Sequence, residues 1–131
     1  MELSRNRKII LDTSILIFVF ERGIDIDDEI LREVGKVEIL IPRSVINELE
    51  RLSSLSKGSR RILAKAAREF VRNRGYQIIE SKDEKNVDRD IMILAKDLNA
   101  VVATLDKKLI EELKKTSIGV LTWKNKRLRL T

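Results

Sequence analysis

The chain has no cysteine and no histidine among its 131 residues. The first absence rules out a disulfide framework and gives no sign of an oxidising compartment. Together the two remove zinc fingers, thiol redox motifs, thiol nucleophiles, histidine-based acid–base catalysis and His/Cys metal sites. Aromatic residues are scarce at 4%, so recognition of a partner leans more on charge and shape than on stacked rings. No apolar run approaches the roughly 20 residues of a membrane span. Arg5, Arg7 and Lys8 precede an apolar stretch in the manner of a signal peptide, but Asp12, Thr13 and Ser14 interrupt it. A soluble, cytoplasmic protein with no membrane partner is expected.

What remains is charge. Lys and Arg number 27 against 21 Asp and Glu, a net charge of +6, and charged residues make up 37% of the chain. That share exceeds the usual value of about 25%. The positive balance suits a polyanionic partner. Abundant Lys, Arg and Glu without Cys also matches thermophile usage. Any chemistry must run on carboxylates, hydroxyls, lysines, arginines, backbone groups or hard metal ions. The length is that of one domain, residues 1–131, with a real hydrophobic core.

Short apolar runs alternate with segments of helical periodicity. Lys8–Leu11, Val37–Ile41, Tyr76–Ile79, Ala100–Thr104 and Ile118–Thr122 read as strands. Ser14–Glu21, Asp27–Val34, Arg43–Leu55, Ser59–Arg74, Val87–Leu98 and Lys107–Lys115 read as helices. This alternation predicts an α/β domain with a mostly parallel sheet, and continuous apolar runs suit strands covered on both faces. Pro42 stands where a helix can begin, and Gly75 and Asn99 where helices end. Trp123–Leu130 is expected to form a basic hairpin or edge strand.

Sites in such sheets form beyond the carboxyl ends of the strands. Asp12 and Asp106 both stand there, and each is equally suited to cap the following helix. On their helical wheels Glu48 and Asp88 lie about 60° from the apolar face, close enough to lean toward the sheet, whereas Glu50 and Asp90 are expected to stay solvated. An ordinary surface acid near a helix N-terminus explains Glu48 or Asp88 taken singly.

In order along the chain, Ile-Leu-Asp12-Thr13-Ser14, Pro42-x-Ser-Val-x-Asn-Glu48-Leu, Val-Asp88-x-x-Ile91-x-x-x-Ala95 and Ala-Thr104-Leu-Asp106 resemble the motifs of the PIN-domain nucleases, across residues 8–122. The resemblance implies a three-layer α/β/α fold around a parallel sheet of about five strands. It implies that Asp12, Glu48, Asp88 and Asp106 bind Mg²⁺ or Mn²⁺ and hydrolyse RNA, leaving 5′-phosphate and 3′-hydroxyl ends. The physics agrees: four converging carboxylates repel unless a divalent cation neutralises them, and all-oxygen ligation suits these ions. Thr13, Ser14 and Thr104 are auxiliary candidates, to orient a carboxylate or to cap a helix. Asp90 is a further auxiliary candidate, although Arg89 intervenes where some relatives carry adjacent acids.

For RNA contact, Arg61, Lys65, Arg68 and Arg72 share an arc of roughly 60° on one helix, opposite Ile62, Ala66 and Phe70. Lys124, Lys126 and Arg127 form a second basic patch. By resemblance the partners are RNA, a second copy of the chain, and an assembly factor or an antitoxin. The basic helix leans the expectation toward rRNA maturation rather than a toxin. A catalytically weak RNA-binding module is the competing reading, against which the four intact acids speak. A haloacid-dehalogenase-like phosphatase is disfavoured because Ser14 stands where a second acid is needed.

Overall fold

The computed structural model describes residues 7–131; Arg5, part of the signal-like start, lies outside the described residues. The elements run β1 (Arg7–Leu11), α1 (Thr13–Arg22), α2 (Ile26–Val34), β2 (Val37–Pro42), α3 (Arg43–Leu55) and α4 (Gly58–Arg74). They continue with β3 (Gln77–Ile79), α5 (Val87–Leu98), β4 (Val101–Ala103), α6 (Lys107–Lys115), β5 (Val120–Lys124) and β6 (Arg127–Leu130). The α/β expectation holds. Boundaries move by a residue or two, and the C-terminal segment resolves into the end of β5 and a separate β6.

The six strands form one sheet in the order β3-β2-β1-β4-β5-β6. The first five are parallel, and β6 returns antiparallel to β5 as a sixth strand at the edge. Ile9, Ile10 and Leu11 of β1 are all fully buried, because the central strand is covered on both faces. Right-handed crossovers put α1–α4 over one face and α5 and α6 over the other. In keeping with that, α5 packs on β1 and β4, and α6 on β5.

Helix ends follow local chemistry. Gly75 and Asn99 adopt left-handed conformations that close α4 and α5. The exposed edge of β6 is closed by side chains rather than by another strand. Glu29 and Glu33, one turn apart on α2, accept the N–H groups of Leu128 at 3.1 Å and Leu130 at 2.8 Å, while Arg32 donates to the Leu128 carbonyl at 3.3 Å. Among the described residues no helix is long and apolar enough to cross a membrane.

The chain moves outward from β1 through β2 to β3, then crosses back to place β4 on the other side of β1. This reversal opens a crevice at the carboxyl ends of β1 and β4.

Candidate active site

Asp12 directly follows β1, and its N–H donates to the Ala103 carbonyl at 3.0 Å, so the two central strand ends are tied where the crevice begins. It occupies the N-cap position of α1, yet its side chain makes no capping bond. Instead Oδ2 accepts the hydroxyls of Thr104 at 2.7 Å and Ser14 at 2.9 Å. Ser14 also lies 3.1 Å from Thr104 Oγ1 and accepts the Leu105 N–H at 3.0 Å. These hydroxyls fix the carboxylate at the mouth of the sheet.

Asp106 does act as a cap: Oδ1 accepts the N–H groups of Lys108 and Leu109. Capping and a place in the cleft are therefore compatible, since one oxygen suffices for the helix. Glu48 reaches in from the second turn of α3, where Thr13 Oγ1 donates to Oε1 at 2.5 Å and Arg51 approaches Oε2 at 3.5 Å. Asp88 stands exposed in the first turn of α5.

All four acids line one cleft of about 330 Å³, together with Thr13, Ser14, Ile17, Phe18, Glu21, Arg60 and Leu105. Glu48 and Asp88 also border an adjoining hollow of about 550 Å³. The electrostatics record the crowding. Burial pushes the Asp12 carboxyl up, against the hydroxyl bonds from Thr104 and Ser14, and repulsion from Asp88 adds to it. Asp88 is raised first by desolvation and then by the charges of Asp106 and Glu48. The carboxylates sense one another.

Hard oxygen donors with mutually repelling charges fit a divalent cation of the Mg²⁺ or Mn²⁺ class. Among the described residues no three acids are gathered closely enough to form a ready-made ion cage. The bonds above give the reason: Glu48 turns to Thr13 and Arg51, and Asp106 to its own helix.

Asp90 is placed differently from the sequence expectation. It is fully buried rather than solvated. Its carboxylate accepts Ser44 Oγ at 2.6 Å and the N–H groups of Lys82 and Asp83 at 2.6 and 2.9 Å. It stands outside the cleft and links α3 to the start of α5.

The basic helix also differs. The buried stripe of α4 is Ala64, Ala67 and Val71, and Ile62 is 68% exposed instead of covered. Arg61 donates to the Ser53 carbonyl at 3.2 Å, and Arg68 and Arg72 both pair with Glu69. Lys65 is exposed. Phe18 lines the cleft and packs on Trp123 with ring centroids 5.5 Å apart.

Arg60 and Glu21 were not singled out by sequence reasoning. Arg60 is exposed and stands one turn before the buried residues Ala64, Ala67 and Val71, at helical spacing from them, where it borders the cleft. Glu21 completes the stripe Ser14, Ile17, Phe18 and Glu21 on α1. Reading the helix faces past the end of the sheet would have found both.

Residues 9–126 match the family model described as a PIN-like domain. A relative from Methanocaldococcus jannaschii, ribonuclease VapC4, is 36% identical, with 92% of each chain covered. Ribonuclease VapC9 of Archaeoglobus fulgidus is 29% identical over 88% of this chain and 84% of its own length. Among solved structures, the PIN domain endonuclease Utp24 superposes with a TM-score of 0.79 at 23% identity, covering 94% of this chain and 90% of that one. The VapBC-1 structure from nontypeable Haemophilus influenzae gives a TM-score of 0.63 at 17% identity, covering 88% and 98%. At those identities the structures speak to the fold alone.

Proposed function

The chain belongs to the PIN-like domain family, and on that premise we propose that it is a divalent-metal-dependent endoribonuclease. The observation that carries this reading is the meeting of Asp12, Glu48, Asp88 and Asp106, from four different elements, on the walls of one cleft. The relatives named as ribonucleases supply the reaction class.

Asp12, Glu48, Asp88 and Asp106 would hold the ion, Mg²⁺ or Mn²⁺. What a bound divalent cation supplies there is polarisation of a phosphoryl oxygen and a more acidic water for in-line attack. The protein's own residues do the rest. Thr104 and Ser14 hold the Asp12 carboxylate in one orientation, Thr13 holds Glu48, and the helix amides hold Asp106. Such pre-set oxygens lower the reorganisation needed when the transition state forms. Arg60 places a guanidinium on the cleft wall, where it offsets charge on the phosphodiester. Ile17, Phe18 and Leu105 furnish an apolar flank that strengthens these interactions by displacing water.

Of the two biological settings expected from the sequence, the relatives named ribonuclease VapC favour the toxin of a toxin–antitoxin pair, with an antitoxin as protein partner, over rRNA maturation.

The test is cleavage of single-stranded and structured RNA with Mg²⁺ or Mn²⁺ against a chelator control. Asp12→Asn is expected to lower the rate by roughly 10²-fold or more, the scale of losing one preorganised electrostatic group. Cleavage that survives chelation, or is undiminished in the variant, rejects the site.

A further inference from the structure

The cations at the C-terminus are arranged more tellingly than those of α4. Because β5 runs parallel to β4, its carboxyl end reaches the same edge of the sheet as Thr104–Asp106. Trp123 there packs on Phe18, a wall of the cleft, and Lys124 is the next residue. The chain reverses through Asn125 and Lys126, both in the left-handed region at φ 54° and 64°. That is the pattern of a tight two-residue hairpin, in which glycine is the favoured second residue. Lys126 occupies that position instead. Lys124 and Arg127 then fall directly opposite each other across the strands.

Each of these choices works against the hairpin's own stability. Like charges placed opposite one another repel, and a left-handed lysine is strained. Among the described residues neither Lys124, Lys126 nor Arg127 stands in an ion pair. Arg129 is already engaged, since its Nε donates to the Lys124 carbonyl at 3.0 Å. Arg127 is partly offset, since its charge helps hold the Glu29 carboxyl down, but Lys124 and Lys126 break local rules without such compensation, which points to an external partner. By contrast Arg61, Arg68 and Arg72 are engaged within the fold. Arg72 also stands about 18 Å along the helix axis from Arg60, leading away from the cleft.

We infer that the β5–β6 turn is the surface that grips the phosphate backbone of single-stranded RNA flanking the bond in the cleft, through Lys124, Lys126 and Arg127. This rests on the ribonuclease reading above. A single strand can follow this turn and enter the adjoining cleft of about 330 Å³. The turn adds positive charge beside an acidic pocket that would otherwise repel the substrate.

The experiment is fluorescence anisotropy with a labelled single-stranded RNA, using the full chain carrying Asp12→Asn so that RNA is held without turnover. Salt is varied with no divalent ion present. Adding Lys124→Gln, Lys126→Gly and Arg127→Gln together is expected to weaken binding by about tenfold or more and to lower the log–log salt slope by about 2, at roughly 0.7 per single-strand phosphate contact. Lys126→Gly alone should lower the slope by about 0.7. Its melting midpoint should be unchanged or higher, which separates lost binding from lost fold. Lys65→Gln with Arg72→Gln should leave the slope unaltered. RNA binding that the hairpin variants share undiminished overturns this inference alone, and leaves the surface to an acidic protein partner. Failure of the Asp12→Asn chain itself to bind RNA overturns both readings.

Discussion

Two acids stand two residues apart on α5 in opposite circumstances. Asp88 is exposed among other acids, and its charged form is disfavoured by desolvation and then by Asp106 and Glu48. Asp90 is fully buried and accepts three hydrogen bonds. Their removal should act in opposite directions. A carboxyl whose folded pKa is raised costs stability above that pKa, and the cost fades as pH falls through it. Asp88→Asn is therefore expected to raise the melting midpoint at pH 7 in chelator, with the gain shrinking toward the acid range. Asp90→Ala strands Ser44 Oγ and two backbone N–H groups, a loss of about 3 kcal/mol or roughly 10 °C. Thermal scans in which both variants shift the same way would contradict this assignment. Helical periodicity suggested the leaning of Asp88 toward the sheet but misjudged Asp90. The reason is that its partners come from the 82–83 segment and from α3, which no wheel of α5 contains.

At the scale of elements, the sequence was legible wherever burial imposed a period. β1, with three fully buried residues in succession, was read correctly as a doubly covered strand. So were the αL ends of α4 and α5. The face of α4 was misread because Ile62 looks like core while the helix actually packs through Ala64, Ala67 and Val71. Small residues permit a close approach that hydrophobicity alone does not flag. The α2–β6 seam was invisible for another reason: side chains bonding to a strand edge leave no periodic trace. Burial raises Glu29, but the Arg32 and Leu128 bonds outweigh it and hold its carboxyl below the ordinary range. Its contribution is thus present above the unfolded glutamate pKa and lost as pH falls through the lowered folded value. Hydrogen exchange at Leu128 should lose its protection, relative to the intrinsic rate, only below the ordinary glutamate range. In Glu29→Ala with Glu33→Ala it should be fast at neutral pH, with concentration-dependent association in sedimentation as the bare edge finds partners. Slow exchange in that double variant would show that the edge is sealed by something else.

Over the whole molecule, charge is segregated. With the four proposed metal-binding acids set aside, 17 acids remain against 27 bases, a balance of +10 over the rest of the chain. Many of the surface charges are linked, as where Arg74 bridges Asp25 and Asp27 while Tyr76 also donates to Asp27. Such networks contribute little near 25 °C and more on heating. A melting midpoint above roughly 60 °C is expected by calorimetry, and a lower one would refute the thermophile usage seen in the composition.

The pairing of β1 with β4 also has a temporal meaning. Asp12 is made early, but Thr104 and Asp106, which complete its surroundings, are synthesised more than 90 residues later. Until β4 docks beside β1, the first strand waits with an open flank and the cleft has only one wall. Contacts this distant in sequence form late, and during synthesis they cannot form before the segment carrying β4 has emerged. The proposed cutting site is therefore withheld from the growing chain until the segment through Asp106 has been made.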